Sequence, residues 1–507
     1  MWRVKSLDAV LATAEKKSLH RSLGPVQLTL LGIGGVIGTG IFVLTAEAAQ
    51  KAGPGMILAF VIAGAVSAVA ALCYAELASM VPVSGSAYTY SYAVLGELVA
   101  WLVGWALVLE YAVAASAVSV GWSGYIVGLL AHLPDFYPGL PAIIVPPALA
   151  TGPFAGGVVN VLAVLIALGV TSLLVIGTRE SANVNAVLVG VKLVALTAFL
   201  FLALPVMKME NFHPFAPFGT PGVIGAAASI FFAYVGFDAV STASEETKNP
   251  QRNLPIGLIG SLAFCTIVYL LVAAGAIGAF GAQPVYGPQG QALNPGSMDL
   301  ARVCAQFTDQ PLVCSREALA HVLRSIGHPL VGNLLGLAAG LALPTVILIM
   351  MYGQTRIFFV MARDGLLPEP LSRVHPRFKT PHVVTWITGV AVAFAAAFLP
   401  VGQLADISNS GTLFAFATVS VAVMVLRHTQ PNRPRPFRAP FVYLFGILSV
   451  MGCAILFLFL PWQARLLFPV WAAIGLAFYY AYGYRHSHVG KERFAEGERN
   501  GPVDHFE

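Results

Sequence analysis

Roughly a dozen apolar runs, each near the length needed to cross a bilayer, decide what this chain can fold into. A hydrocarbon core of about 30 Å needs about 20 apolar residues per helix. Inside it every backbone N–H and C=O must be paired, which leaves only helices and closed barrels. The runs fall near 25–50, 56–80, 97–130, 157–177, 184–206, 222–243, 256–280, 330–353, 382–399, 404–426, 441–461 and 465–483. The ten-residue alternation of a membrane barrel is absent. Charged residues make up 10% of the chain and hydrophobic ones 57%, against about 25% charged in a soluble domain. The fold class is therefore all-α integral membrane, with about twelve transmembrane helices. The third run is over-long and should tilt or extend past the lipid.

Two of these runs are poor continuous helices. One reads Leu31-Gly32-Ile33-Gly34-Gly35-Val36-Ile37-Gly38-Thr39-Gly40-Ile41-Phe42, the other Ser229-Ile230-Phe231-Phe232-Ala233-Tyr234-Val235-Gly236-Phe237-Asp238-Ala239. Glycine costs roughly 1 kcal/mol against alanine inside a helix. Interrupted spans at matching places in two halves point to the binding site of a secondary transporter.

Charge placement orients the chain. With the ends and alternate loops taken as cytoplasmic (1–24, 81–96, 178–183, 244–255, 353–381, 427–440, 484–507), that side holds 21 Lys plus Arg and the other side six. Both termini are then expected in the cytoplasm of a cell-membrane protein. Basic residues divided among short loops do not make a nucleic-acid surface. No cleavable signal peptide is expected. Trp2, Val4, Leu7, Val10, Leu11 and Ala14 lie near helical spacing, so 1–24 reads as an amphipathic helix on the inner surface, with an unstructured basic tail as the alternative. Runs 25–206 and 222–427 would be inverted repeats of five spans each. The pair 441–483 is left over, and the tail 484–507 reads as polar and disordered.

The outer loop 281–329 is the one sizeable insertion, with a short helix expected over 316–326. It carries Cys304 and Cys314, a possible disulfide in an oxidising compartment; spacing alone does not establish its geometry. Cys73, Cys265 and Cys453 read as small core residues.

A break near Gly38-Thr39-Gly40 would free N–H groups at a half-helix start, and with the helix dipole these suit a carboxylate. Val36, Ile37, Gly38, Thr39, Gly40 and Ile41 form that candidate site. Close helix packing is the alternative use of such glycines. At the second break the carbonyls of Phe232, Ala233 and Val235 could accept from an ammonium, and Phe231, Tyr234 and Phe237 could wall a side-chain pocket. An ordinary aromatic core stripe is the alternative there. Lys192 sits in Val187-Leu188-Val189-Gly190-Val191-Lys192-Leu193-Val194. Insertion scales put a mid-helix lysine at about 3 kcal/mol, so it reads as a group that takes up and releases a proton, or else snorkels. Glu110 could read a substrate amine, join a proton path, or tie to a neighbouring helix. Asp238 and Glu76 read as gate or packing residues. The eleven histidines lie in loops, tails or span ends, which argues against a metal site. No Walker motif or nucleophile–base set is present, so neither an enzyme nor ATP-driven transport is expected, and no cofactor.

The chain resembles the amino acid–polyamine–organocation superfamily, and within it bacterial members of the cationic amino acid transporter family. The resemblance rests on Gly32 to Phe42, Pro82-Val83-Ser84-Gly85-Ser86-Ala87-Tyr88-Thr89-Tyr90, Phe232 to Asp238, Glu245-Glu246-Thr247-Lys248-Asn249-Pro250, Gly353-Gln354-Thr355-Arg356 and Met361-Ala362-Arg363-Asp364-Gly365-Leu366-Leu367-Pro368. It implies a five-plus-five inverted repeat with broken helices 1 and 6 and two further helices. It implies that Thr39 and Gly40 receive an amino acid carboxylate, and that Val36, Phe232, Ala233 and Val235 face its amino group. Lys192 matches the lysine that proton-coupled members carry where sodium-coupled relatives hold an ion. The family name suggests cationic substrates. The apolar segment Leu341-Ala342-Leu343-Pro344-Thr345, with Leu343 toward the site, favours small or apolar neutral ones, while Glu110 could admit a cation. Pro344 departs from the family pattern and could kink its helix. The resulting expectation is proton-coupled amino acid import by alternating access, by a monomer in the lipid bilayer. An exchanger without proton coupling and a membrane sensor are the rivals, and a small membrane-peptide partner stays open.

Overall fold

The computed structural model describes residues 23–491 except 84, 137–138, 178–181 and 379. The expected amphipathic segment lies, from 1 to 22, outside the described residues, as does the tail from 492. The apolar runs become helices that end where sequence punctuation ends them. Span one is α1 (Pro25–Val36), α2 (Thr39–Phe42) and α3 (Leu44–Ala52). Span two is α4 (Met56–Met80), α5 (Ser86–Val94) lies in the following loop, and span three is α6 (Glu97–Ala131). Spans four and five are α7 (Val161–Ile176) and α8 (Ala182–Ala203), and span six is α9 (Gly219–Ile230) and α10 (Ala239–Thr242). Span seven is α11 (Pro250–Phe280), α12 (Ala318–Ser325) sits in the outer loop, and span eight is α13 (Pro329–Arg363). Spans nine to twelve are α14 (His382–Phe398), α15 (Val401–Thr429), α16 (Val442–Phe459) and α17 (Trp462–Phe478).

Local chemistry sets these ends. Proline stands at the first helical position of α1, α11 and α13, where its missing N–H costs nothing. Asn160 caps α7 by accepting from the Ala163 N–H at 3.1 Å, and Gly177 ends that helix in the left-handed region at φ 81°. Nine helical stretches among the described residues are long and apolar enough to cross a membrane, and α1, α7 and α14 are shorter apolar helices.

The spans pair across the two halves of the chain. Span two packs on seven, three on eight and four on nine. Three on ten is matched by eight on five, and one on seven by six on two. Span eleven lies against ten and two, and span twelve against three and ten. Span twelve is fastened by Trp105 and Trp471, whose rings stack at 4.7 Å and whose indole N–H groups each donate to the other's carbonyl at 2.8 Å.

Two expectations are corrected, the single outer insertion and the loose tail. The connection 132–160 is a second sizeable insertion on the side of the disulfide loop, because α6 stops at Ala131 and α7 starts at Val161. Span eight stays helical through Pro344, from Pro329 to Arg363. Proline removes the donor owed to the carbonyl four residues back, and Trp122 of span three donates to that carbonyl, Gly340 O, at 2.7 Å. The tail does not come loose at Arg485. Ser487 is buried and donates to Glu97, which also receives the hydroxyls of Tyr92 at 3.0 Å and Tyr479 at 2.7 Å.

Cys304 and Cys314 are joined in a disulfide, and the apolar face of α12 (Ala318, Leu319, Val322, Leu323) is buried. Glu317, just before α12, ion-pairs with Arg324. Burial pushes its carboxyl up to about 7, with the Arg324 charge pulling the other way. A group whose folded value is raised stabilises the fold fully below its unfolded value and loses that contribution as pH rises through the folded one. The loop should therefore loosen between pH 4.5 and pH 7. Hydrogen exchange over 318–325, corrected for intrinsic rate, should be slower at acidic than at alkaline pH, and Glu317→Gln should remove the difference. Equal protection across that range in the native protein would exclude the effect.

Candidate functional site

Span one leaves helical geometry at Ile37 (φ −73°, ψ 94°) and Gly38 (φ −146°, ψ −146°), and restarts at Thr39. The N–H groups of Gly38, Thr39, Gly40 and Ile41 find no backbone acceptor among the described residues. They are the orphan donors of a helix start. Span six tightens to a 3₁₀ turn over Phe231–Tyr234, extends at Val235 (φ −63°, ψ 137°), and turns at Gly236. Gly236 has φ 114°, a conformation that strains any residue with a Cβ.

The two breaks touch backbone to backbone. A Cβ on Gly236 would stand 2.8 Å from Gly35 O, and one on Gly35 3.2 Å from Gly236 O. A Cβ on Gly40 would overlap the Cα of Ala233. Val36, Ile37, Gly38, Thr39, Gly40, Ile41, Phe232, Ala233 and Val235 are all buried around this crossing. The hydroxyl of Tyr269, on span seven, bridges it: Val36 O and Ala233 O lie 2.7 and 3.0 Å away. Two of the carbonyls expected to face an ammonium thus already share one donor, each with a second lone pair left. Thr39 Oγ1 is buried with no partner, and the Thr39 side chain lies against Gly121 of span three.

Lys192 reaches this crossing from span five. It is 1% exposed, and its Nζ donates to Gly34 O at 2.9 Å, on the last turn of α1. It is turned into the bundle and does not snorkel. Gly34 makes room for span five, since a Cβ there would meet Val189 at 2.9 Å and Asn185 at 3.1 Å.

Span eight supplies an apolar wall. Leu343 is buried, Val346 approaches Gly38, and Met350 approaches Gly236. Phe231 and Phe237 instead meet Phe416 of span ten, with ring centroids 5.9 and 5.1 Å away. Tyr234 points to span two, where its hydroxyl donates to Phe60 O at 2.9 Å. Their rings fill the packing between spans. Phe232 makes none of these ring contacts.

Below the second break, Asp238 accepts from the Gly236 N–H at 3.2 Å and the Tyr111 hydroxyl at 2.6 Å. It fixes the turn itself. Glu110, next to Tyr111, is fully buried, neither carboxyl oxygen has a hydrogen-bond partner among the described residues, and it lies on Gly411 of span ten. Glu76 is a packing residue: Arg427 clamps it at 2.7 and 2.6 Å. On the disulfide side Lys51 bonds Ser229 and reaches Asp406 at 3.3 Å, and Ser229 donates to Asp406 at 2.5 Å. This knot ties spans one, six and ten. Beside it a cavity of about 1300 Å³ runs under the disulfide loop, lined by Val43, Glu47, Gly121, Gly124 and Glu317. Gly121 joins it to Thr39. No cluster of metal-binding side chains occurs among the described residues.

The family model described as amino acid permease matches residues 23–480. This chain belongs to the amino acid permease family. It is 44% identical to a branched-chain amino acid permease of Bacillus subtilis, over 97% of this chain and 99% of that protein. It is 42% identical to a methylthioribose transporter of the same organism over the same shares. It is 36% identical to a vacuolar cationic amino acid transporter of Arabidopsis thaliana, over 85% of this chain and 67% of that protein. The permease is thus a multi-pass membrane protein of amino acid transport.

Sequence reasoning missed Tyr269, Val346 and Met350, and read Asp238 as a gate or packing residue without its bond to the Gly236 N–H. A lone tyrosine inside the apolar run Cys265 to Val272 was the available signal, because a buried hydroxyl needs a partner. Val346 and Met350 carried no signal beyond helical spacing from Leu343.

Proposed function

We propose that this permease is a proton-coupled importer of neutral, apolar L-amino acids, working by alternating access in the cell membrane with both termini in the cytoplasm. The observation that carries the reading is Lys192 seated on Gly34 O at the end of the first half-helix. A cation fixed at that joint couples its own protonation to the position of span one. The free N–H groups from Gly38 to Ile41 receive the substrate carboxylate. The carbonyls at Val36, Ala233 and Val235 receive its ammonium, with the Tyr269 hydroxyl rotating to share them. Leu343, Val346, Met350 and Phe232 face the side chain, which favours an apolar one. The relative named a branched-chain permease supports that substrate class. Residues 25–206 and 222–427 act as the two repeats, and the Lys51–Asp406 knot closes the outer path.

Glu110 favours a second reading, since a buried carboxylate suits a cationic side chain. Uptake into sodium-free proteoliposomes separates the two. Labelled L-leucine or L-alanine should accumulate only with an inward proton gradient, and excess L-arginine should not compete. Uptake that needs internal amino acid and ignores the gradient would replace symport with exchange. Arginine accumulation would move the substrate class.

A further inference from the structure

The last turn of span ten and the loop that follows carry four arginines, Arg427, Arg433, Arg435 and Arg438. Three are engaged. Arg427 and Arg435 share Glu76, at 2.6 and 3.2 Å, and Arg433 reaches Gln430 at 3.3 Å. Arg438 has no hydrogen bond or ion pair among the described residues. It lines a cavity of about 540 Å³ with Arg427, Pro440, Phe441, Tyr443 and Leu444. Arg427 and Arg435 share the single carboxylate of Glu76, so with Arg438 added the local charge is positive.

The other wall is apolar and turned outward. Phe441, Tyr443 and Leu444 are 78%, 52% and 56% exposed. They open span eleven, an apolar helix with most of its surface on the outside of the bundle. Phe441 holds φ 41°, a left-handed conformation that a non-glycine residue adopts only when its surroundings impose it. Here it turns a ring out beside a cation at the point where the chain enters the bilayer. Aromatic side chains favour this interfacial level, and basic pockets between helices suit anionic headgroups.

We infer that this cavity is a binding site for an anionic phospholipid. The phosphate lies on Arg438 with Arg427 behind it, and an acyl chain runs down Phe441, Tyr443 and Leu444. A free phosphate would satisfy the cation but would leave the apolar wall without a use. The bound lipid bridges the ends of spans ten and eleven, which already rest on span two through Glu76, Arg427 and the Ala439 N–H.

The test uses the purified full-length protein in a neutral detergent. Thermal unfolding is followed while phosphatidylglycerol, phosphatidylcholine or inorganic phosphate is titrated in. Phosphatidylglycerol should raise the midpoint in a saturable way, and the other two should not. Arg438→Gln should unfold at the native temperature without lipid, because Arg438 has no hydrogen bond or ion pair to lose among the described residues. It should need about fivefold more phosphatidylglycerol, as expected for one interfacial arginine, and Arg438→Lys should restore most of the response. Phe441→Ala should weaken the lipid response as well. An equal shift from phosphatidylcholine, or an undiminished response in Arg438→Gln, would overturn the site. An equal shift from inorganic phosphate would overturn the lipid as its ligand.

Discussion

Lys192→Met should reduce gradient-driven amino acid uptake to near the background of empty vesicles while the protein stays folded. The lysine is buried and holds Gly34 O at 2.9 Å. A hydrogen bond from a charged group contributes about 1.5–3 kcal/mol, which shifts an equilibrium between two conformations roughly 10- to 100-fold. Methionine keeps the length and volume of the side chain but cannot carry a proton. Methionine also removes the cost of holding a lysine in mid-span, about 3 kcal/mol on insertion scales, which offsets the lost hydrogen bond, so the unfolding midpoint should not fall by more than a few degrees. Counterflow, in which internal substrate exchanges with external substrate and no gradient acts, should survive better than accumulation. That contrast separates a coupling residue from a structural one. Full accumulation in Lys192→Met would remove Lys192 from the mechanism, and loss of folding would make it structural.

The fold was legible because the membrane leaves few choices. Each apolar run of bilayer length had to become a helix, and Gly38 and Gly236 announced where two of them could not continue. The crossing of the breaks was legible only in part. Glycines marked the chain segments, yet Gly35 against Gly236 and Gly40 against Ala233 are tertiary contacts without a local signature. Lys192 stood out since a charge in an apolar run has to be explained. Asp238 did not stand out. Its carboxylate serves a turn two residues back, and Tyr111, the other partner, lies 127 positions away in the chain. The aromatic residues at the break have partners just as remote. Tyr234 and Phe237 sit beside the break in sequence, but the 3₁₀ turn sends their rings to spans two and ten. At Pro344 the sequence hides a remote partner: the carbonyl that proline frees is taken by an indole of span three.

Gly40→Ala should abolish transport, whereas Gly190→Ala, the same change in another span, should leave it intact. A methyl at residue 40 would overlap the Cα of Ala233, stand 2.5 Å from its Cβ and 3.1 Å from its nitrogen. These are mostly backbone atoms, so no side-chain rotation makes room. Spans one and six must part at the point where their breaks meet. Forcing one methylene-sized group into a packed contact costs about 1–3 kcal/mol, a loss the whole protein can survive. Activity responds more steeply, since the N–H groups of span one and the carbonyls of span six must converge on one small molecule. Misplacing reacting or binding groups by about 1 Å can cost about 100-fold. At Gly190 nothing lies within 4 Å of the added carbon, and alanine in a helix interior is favoured over glycine by about 1 kcal/mol. Uptake and unfolding midpoint measured on both variants separate packing from function. Native uptake in Gly40→Ala would show that the half-helices do not work in contact, and an inactive Gly190→Ala would show that span five tolerates no change for reasons other than space.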